Sequence, residues 1–209
     1  MDTTERKKHW ENIYKTKDLI NVSWYQPTPT TSLEFLKQFN LPSDAKIIDI
    51  GGGDSLLVDH LLDMGYTEIS VLDISEAALE RAKQRLGERA ANVKWIVEDA
   101  ASFVPTEKYD FWHDRAAFHF LTREEDITHY IEKIHQGLTN TGILVIGTFS
   151  KDGPKKCSGI DIKQYSEVSL SEKLQRFFEK IKCITVDHGT PFNTIQNFVF
   201  CSFKKLIVA

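Results

Sequence analysis

Two carboxylates stand directly after short β-rich runs in the first half of the chain, Asp49 and Asp73, 24 residues apart. The first opens Asp49-Ile50-Gly51-Gly52-Gly53-Asp54-Ser55. Glycines in such a turn let the backbone bend tightly and approach a ligand, and the helix that follows offers free N–H groups. Asp73 ends the next run, where a carboxylate accepts hydrogen bonds from both hydroxyls of an adenosine ribose. Each feature alone has a plainer reading, as a tight turn or a helix cap. In this order, after consecutive strands, they point to an adenosine ligand.

The same residues restrict which adenosine ligand fits. The third glycine of the dinucleotide fingerprint is replaced by Leu56, and no Gly-Lys-Ser/Thr follows, so neither a dinucleotide turn nor a P-loop is present. Asp49 and Asp54 on one turn would repel a pyrophosphate and attract a cation. S-adenosylmethionine, with an ammonium and a sulfonium in place of phosphates, is such a ligand.

The elements that must position these residues alternate. Short apolar runs at 45–49, 69–73, 93–97, 109–113 and 142–149 read as strands. Between them, Leu57, Leu61, Leu62 and Met64, then Leu79, Ala82 and Leu86 behind a Ser75 N-cap, then Ile127, Tyr130, Ile131, Ile134 and Leu138 recur at helical spacing. This alternation predicts a parallel sheet covered by helices on both faces. The end of the chain breaks the rhythm. Ser169-x-x-Glu172 reads as a capping box for a helix carrying Leu174, Phe177, Phe178 and Ile181. Runs 183–187 and 195–203 follow with too short a link for a crossover, so they form an antiparallel pair. The expected class is α/β: a Rossmann-like, seven-stranded, mostly parallel sheet with that pair at its C-terminal end. Residues 1–44 are expected as an aromatic-rich N-terminal cap, packed on the sheet or over the ligand crevice, and 45–209 as the catalytic domain of a single-domain protein.

Taken together, the motifs resemble those of class I S-adenosylmethionine-dependent methyltransferases over residues 45–205. Asp49-x-Gly51-x-Gly53 is similar to their first motif, with Gly52 between and Ser55 where many members keep a glycine. The resemblance implies that Asp73 binds the ribose with Ile74 beside the adenine, and that Asp99 and Ala100 meet the adenine edge, Asp99 accepting from its amine. Tyr109 to Ala116 is similar to the fourth motif, and its Asp114-Arg115-Ala116 part to the thiopurine methyltransferase subgroup, in which the arginine faces substrate. His9-Trp10-x-x-x-Tyr14 with Ser23-Trp24-Tyr25 is similar to the caps of thiopurine and some protein-lysine methyltransferases.

Methyl transfer from a sulfonium asks the protein mainly for proximity, alignment and exclusion of water. Trp24 and Tyr25, then Trp10, are candidates for an aromatic wall that stabilises the cation. Arg115 offers a bidentate clamp for a substrate carboxylate or a partner for a neighbouring acid. His119 offers a general base or a packing residue. His113, Asp114 and His119 have no spacing that demands a metal, and none is expected. The segment 150–168 reads as part of the substrate wall, with Cys157 a loop residue. The expected function is methylation of a small polar or carboxylated metabolite. The alternatives are a protein-lysine methyltransferase and a non-catalytic adenosine-ligand-binding protein.

Composition narrows the setting. With 26 Lys plus Arg against 30 Asp plus Glu, the formal charge is −4, so nucleic acid and anionic membranes are not expected partners. No apolar run approaches the roughly 20 residues of a membrane helix. The charged start Met1-Asp2-Thr3-Thr4-Glu5-Arg6 leads into no apolar segment, so a cytoplasmic location is expected. Cys157, Cys183 and Cys201, an odd number widely spaced, suit neither a disulfide framework nor a zinc site.

Overall fold

In the computed structural model, which describes residues 3–207, seven strands form one sheet. Residues 1 and 2 of the expected cap, with the charged start they belong to, and residues 208 and 209 of the expected catalytic domain lie outside the described residues. The strands are β1 (Lys46–Ile50), β2 (Glu68–Asp73), β3 (Val93–Val97), β4 (Tyr109–Arg115), β5 (Leu138–Phe149), β8 (Phe178–Gly189) and β9 (Ile195–Lys205), in the order β3-β2-β1-β4-β5-β9-β8. A separate two-stranded ribbon joins β6 (Lys156–Cys157) to β7 (Ile160–Asp161). The first five strands of the sheet are parallel, and β9 pairs antiparallel with both β5 and β8. The strand order reverses between β1 and β4, which opens a crevice at their carboxyl ends.

The helices are α1 (Thr3–Thr16), α2 (Thr30–Lys37), α3 (Leu57–Asp63), α4 (Glu76–Leu86), α5 (Glu124–Gly137) and α6 (Glu167–Leu174). One face of the sheet buries Leu36, Leu61 and Leu79 of α2, α3 and α4. The other buries Tyr130 and Ile134 of α5 and Leu170 of α6. Strands β1, β2, β4 and β5 each place apolar side chains on both faces, as a sheet covered on both sides requires. Ser75 caps α4 by accepting from the Ala78 N–H at 3.2 Å.

The chain after 165 departs from the expected pattern. The capping box is Ser166 with Ser169, and α6 ends at Leu174. Phe178 and Ile181, expected on the helix, belong to β8. Apolar residues at 177, 178 and 181 satisfy helical spacing, but the partner strand β9, whose Lys205 pairs with Phe178, lies too far along the chain for a local pattern to register. The same pairing sets Cys183 opposite Cys201, and the two form a disulfide. Spacing along the chain did not indicate that bond; register across two strands creates it.

The first 44 residues divide between the two roles expected of them. Helix α2 is core, with Phe35 stacked on Phe200 of β9 at 6.1 Å between ring centroids. Helix α1 lies against α4: Arg81 donates to the backbone carbonyls of Tyr14 and Lys17 at 2.8 and 2.6 Å. In return the Glu11 carboxylate accepts from the free N–H groups of Glu76 and Ala77 at the start of α4. A carboxylate there also meets the positive end of the helix dipole. These contacts set α1 across the crevice.

Candidate active site

A single cavity at the β1–β4 switch point is lined by Asp49, Gly51, Gly52, Asp73, Ile74, Asp99 and Ala100, together with Trp10, Trp24, Ser32, His113, Arg115 and Phe120. Its floor follows from strand register, since Asp49 of β1 stands beside His113 of β4, and Ile50 beside Asp114. Gly51 has φ +66°, and a Cβ there would stand 2.8 Å from that of Ala117. Gly52 is constrained by space: an added Cβ would lie 2.6 Å from Asp49 Oδ2 and 2.7 Å from Val71 Cγ1. Gly52→Ala therefore forces Asp49 out of place. Overpacking of this kind costs about 1–3 kcal/mol. We expect a melting temperature lower by several degrees together with at least tenfold weaker binding of S-adenosylhomocysteine, checked by calorimetry on one sample.

One stretch of the cavity wall is acidic and buried. Asp73, only 5% exposed, accepts from the Ser75 N–H at 2.8 Å through Oδ1. Burial, reinforced by Asp54, Asp49 and Glu11, pushes its carboxyl up to about 7. Asp54 is also buried and raised, and its Oδ2 meets Arg81 at 3.0 Å. A concentration of buried acids such as this suits a ligand bearing positive charge and hydroxyl donors, and disfavours a pyrophosphate. The residues present therefore fit S-adenosylmethionine. Asp99 receives the Ala101 N–H at 3.0 Å and forms a 2.9 Å ion pair with Arg6 of α1. Helix α1 thus holds the carboxylate that the adenine amine would be expected to engage.

The wall also holds an aromatic cluster. The Trp10 ring is 5.7 Å from Trp24, 5.2 Å from Phe120 and 6.1 Å from Tyr14. The Arg115 guanidinium reaches the wall from the end of β4. Its Nη1 donates to the Trp24 carbonyl at 3.1 Å and it stands 5.4 Å from the Phe198 ring, while buried Nη2 has no partner. Burial lowers its pKa to about 10, opposed in part by Asp49. Among the described residues no carboxylate pairs with it. Behind it Asp114 is structural: one oxygen accepts from the Ala117 and Phe118 N–H groups, the other from the Tyr130 hydroxyl at 2.6 Å.

Not all residues singled out from the sequence reach the cavity. Gly53 shapes the turn next to Tyr14 and Asp73 without lining the wall, and half-buried Tyr25 does not line it either. His119 is fully buried between Phe120 and Phe149, 4.6 and 4.7 Å from their rings, and its Nδ1 accepts from the Phe149 N–H at 3.4 Å. Burial and nearby Arg115 lower its pKa to about 3, so the ring is neutral at physiological pH and holds the end of β5. Cys157 does line the cavity, with burial raising its thiol to about 11. Sequence reasoning did not single out Arg6, Ser32 or Phe120. Nothing local marks them, because each becomes a wall residue only when a distant element packs over the crevice.

Residues 47–142 match a family model described as a methyltransferase domain. The N-methyltransferase NodS from Bradyrhizobium japonicum, solved with S-adenosylhomocysteine, superposes with a TM-score of 0.70 at 14% identity, covering 99% of this chain and 100% of that one. A SAM-dependent methyltransferase from Anabaena variabilis superposes at 0.74 and 16% identity, over 96% and 95%. Residues 47–142 are thus similar to the methyltransferase-domain family, and the described chain shares the fold of these two solved methyltransferases.

Among curated relatives, the mouse eEF1A lysine and N-terminal methyltransferase is 28% identical over 66% of this chain and 20% of its own length. A malonyl-[acyl-carrier protein] O-methyltransferase of Ilyobacter polytropus is 27% identical over 51% and 40%. The chain thus spans a fifth to two fifths of these two relatives' lengths. Their named substrates differ in kind, protein in one case and an acyl carrier's malonyl group in the other. No helix among the described residues is long and apolar enough to cross a membrane.

Proposed function

We propose that this chain transfers the methyl group of S-adenosylmethionine to a small polar acceptor carrying a carboxylate. The observation that carries the acceptor half is Arg115, half-buried on the cavity wall, whose buried Nη2 has no hydrogen-bond partner. A desolvated cation without a counter-charge is costly, and an anionic ligand arriving bidentately removes that cost. For the cofactor we assign Asp73 to the ribose, Asp99 with Ala100 and Ile74 to the adenine, and Asp49 with the Gly51–Gly53 turn to the methionine end. When bound, the cofactor supplies an electrophilic methyl group on sulfur. The chain's own part is to align the acceptor through Arg115 and to exclude water with Trp10, Trp24 and Phe120. On this reading residues 3–44 serve as the cap and the remainder as the catalytic domain, working in the cytoplasm.

A protein lysine is the second reading, supported by the relatives named for it and by the aromatic wall, which also suits an ammonium group. Parallel titrations with S-adenosylhomocysteine and NAD, followed by labelled S-adenosylmethionine offered with carboxylated small molecules and with lysine peptides, separate the readings. We expect micromolar binding of the first ligand, none of NAD, and label in the small acids. Label in the peptide favours the second reading. NAD binding, or no binding at all, overturns the methyltransferase assignment and, in the last case, leaves a binding protein on the same fold.

A further inference from the structure

In the cavity wall, three polar side chains from three elements join in one hydrogen-bonded row. Asp49 Oδ1 of β1 lies 2.7 Å from His113 Nδ1 of β4, and His113 Nε2 lies 2.9 Å from Ser32 Oγ of α2. The three are 3%, 2% and 3% exposed, and all three line the cavity. A carboxylate can only accept, so Nδ1 carries the ring proton, and Nε2 is left with a lone pair that Ser32 O–H meets. Ser32 stands in the first turn of α2, yet it does not cap that helix: the N-cap is Pro29, with no side-chain capping bond. Its hydroxyl is committed to the imidazole instead.

We propose that Ser32 is a catalytic residue that relays the acceptor's proton to His113, with Asp49 holding the ring and stabilising the imidazolium. In the step, an acceptor N–H or O–H gives its proton to Ser32 Oγ as the Ser32 proton passes to His113 Nε2. The electron pair freed on the acceptor forms the new bond to methyl carbon, and the old carbon–sulfur pair stays on sulfur as a neutral thioether. Asp49 remains ionised throughout. This deepens the reading above and rests on it. The acceptor then carries two features, an anionic group for Arg115 and a protonated nucleophile for Ser32, as in a hydroxy or amino acid. A bare carboxylate methylated on its own oxygen has no proton to lose and makes no use of the row.

A serine whose proton is drawn by a histidine reacts with organophosphorus fluorides, whereas an ordinary buried serine does not. The intact chain is treated with diisopropyl fluorophosphate and the adduct located by mass spectrometry. We expect it at Ser32, forming at least a hundredfold faster than in His113→Gln and absent from Ser32→Ala, with melting curves confirming that both variants fold. An inert Ser32 in the wild-type chain overturns the relay whether or not the glutamine variant folds, as does an unchanged rate in that variant. Titration of the same sample with S-adenosylhomocysteine separates the two levels. Binding retained beside an inert Ser32 sinks the relay alone, and binding lost sinks the cofactor reading beneath it.

Discussion

Asp73→Ala lowers affinity for S-adenosylhomocysteine by about a hundredfold or more. Two hydrogen bonds to a charged acceptor contribute about 1.5–3 kcal/mol each, and every 1.4 kcal/mol is tenfold in binding. No other carboxylate ends β2, and Asp99 and Asp49 are already engaged by Arg6 and His113. Calorimetric titration measures the loss directly, and affinity within a few fold of wild type would sink the ribose assignment.

The same carboxyl makes the chain sensitive to pH. Burial and three neighbouring acids raise Asp73 to about 7, and burial raises Asp114 to about 6. For an acid raised in the folded state, the stabilising contribution is present below its ordinary value and is lost as pH climbs through the folded value. Buried His119, lowered to about 3, has the opposite sign between about pH 3 and about pH 6.5 in wild type and Asp73→Asn alike. The difference is therefore the readout: the melting temperature of Asp73→Asn relative to wild type should climb between about pH 4 and about pH 7. Binding runs opposite to the contribution of Asp73. Ionised Asp73 is the stronger acceptor, so affinity for S-adenosylhomocysteine should rise from about pH 6 to about pH 8, and should not in the asparagine variant.

Arg115→Met is expected to stabilise the fold while removing acceptor recognition. The half-buried guanidinium pairs with no carboxylate among the described residues, and desolvation, opposed in part by Asp49, lowers its pKa to about 10. Relief of the desolvated charge is worth about 2–3 kcal/mol. The variant forfeits the bond to the Trp24 carbonyl, about 1 kcal/mol. The remaining gain of about 1–2 kcal/mol corresponds to a melting temperature higher by about 2–8 °C in a chain of this length. Turnover of a carboxylated acceptor should drop at least a hundredfold with S-adenosylhomocysteine binding within a few fold of wild type. A destabilised variant would mean that the Trp24 and Phe198 contacts outweigh the buried charge.

The residues proposed for the cofactor were legible along the chain because they are local. Asp49 with its glycine turn, Asp73 and Asp99 each follow a strand directly. In a parallel sheet wound by short connections, every such residue emerges at the same end. Period and punctuation were enough to place them, and enough to place the α/β layers. They were not enough at 177–181, where three apolar residues fit either period and pairing with a strand some twenty residues on decided for β8.

The acceptor half, except for Arg115 at the end of β4, depends on tertiary structure: Ser32 and His113 are 81 residues apart. His119 looked like a base by type and position, but burial among aromatic rings removed it from the cavity and from titration near neutral pH. Residue type and strand position thus determined that an adenosine ligand and a cation fit this chain. Which side chains face the acceptor was decided by the packing of α1, α2 and the 19–29 segment over the sheet, because contacts between distant elements leave no periodic trace in the sequence.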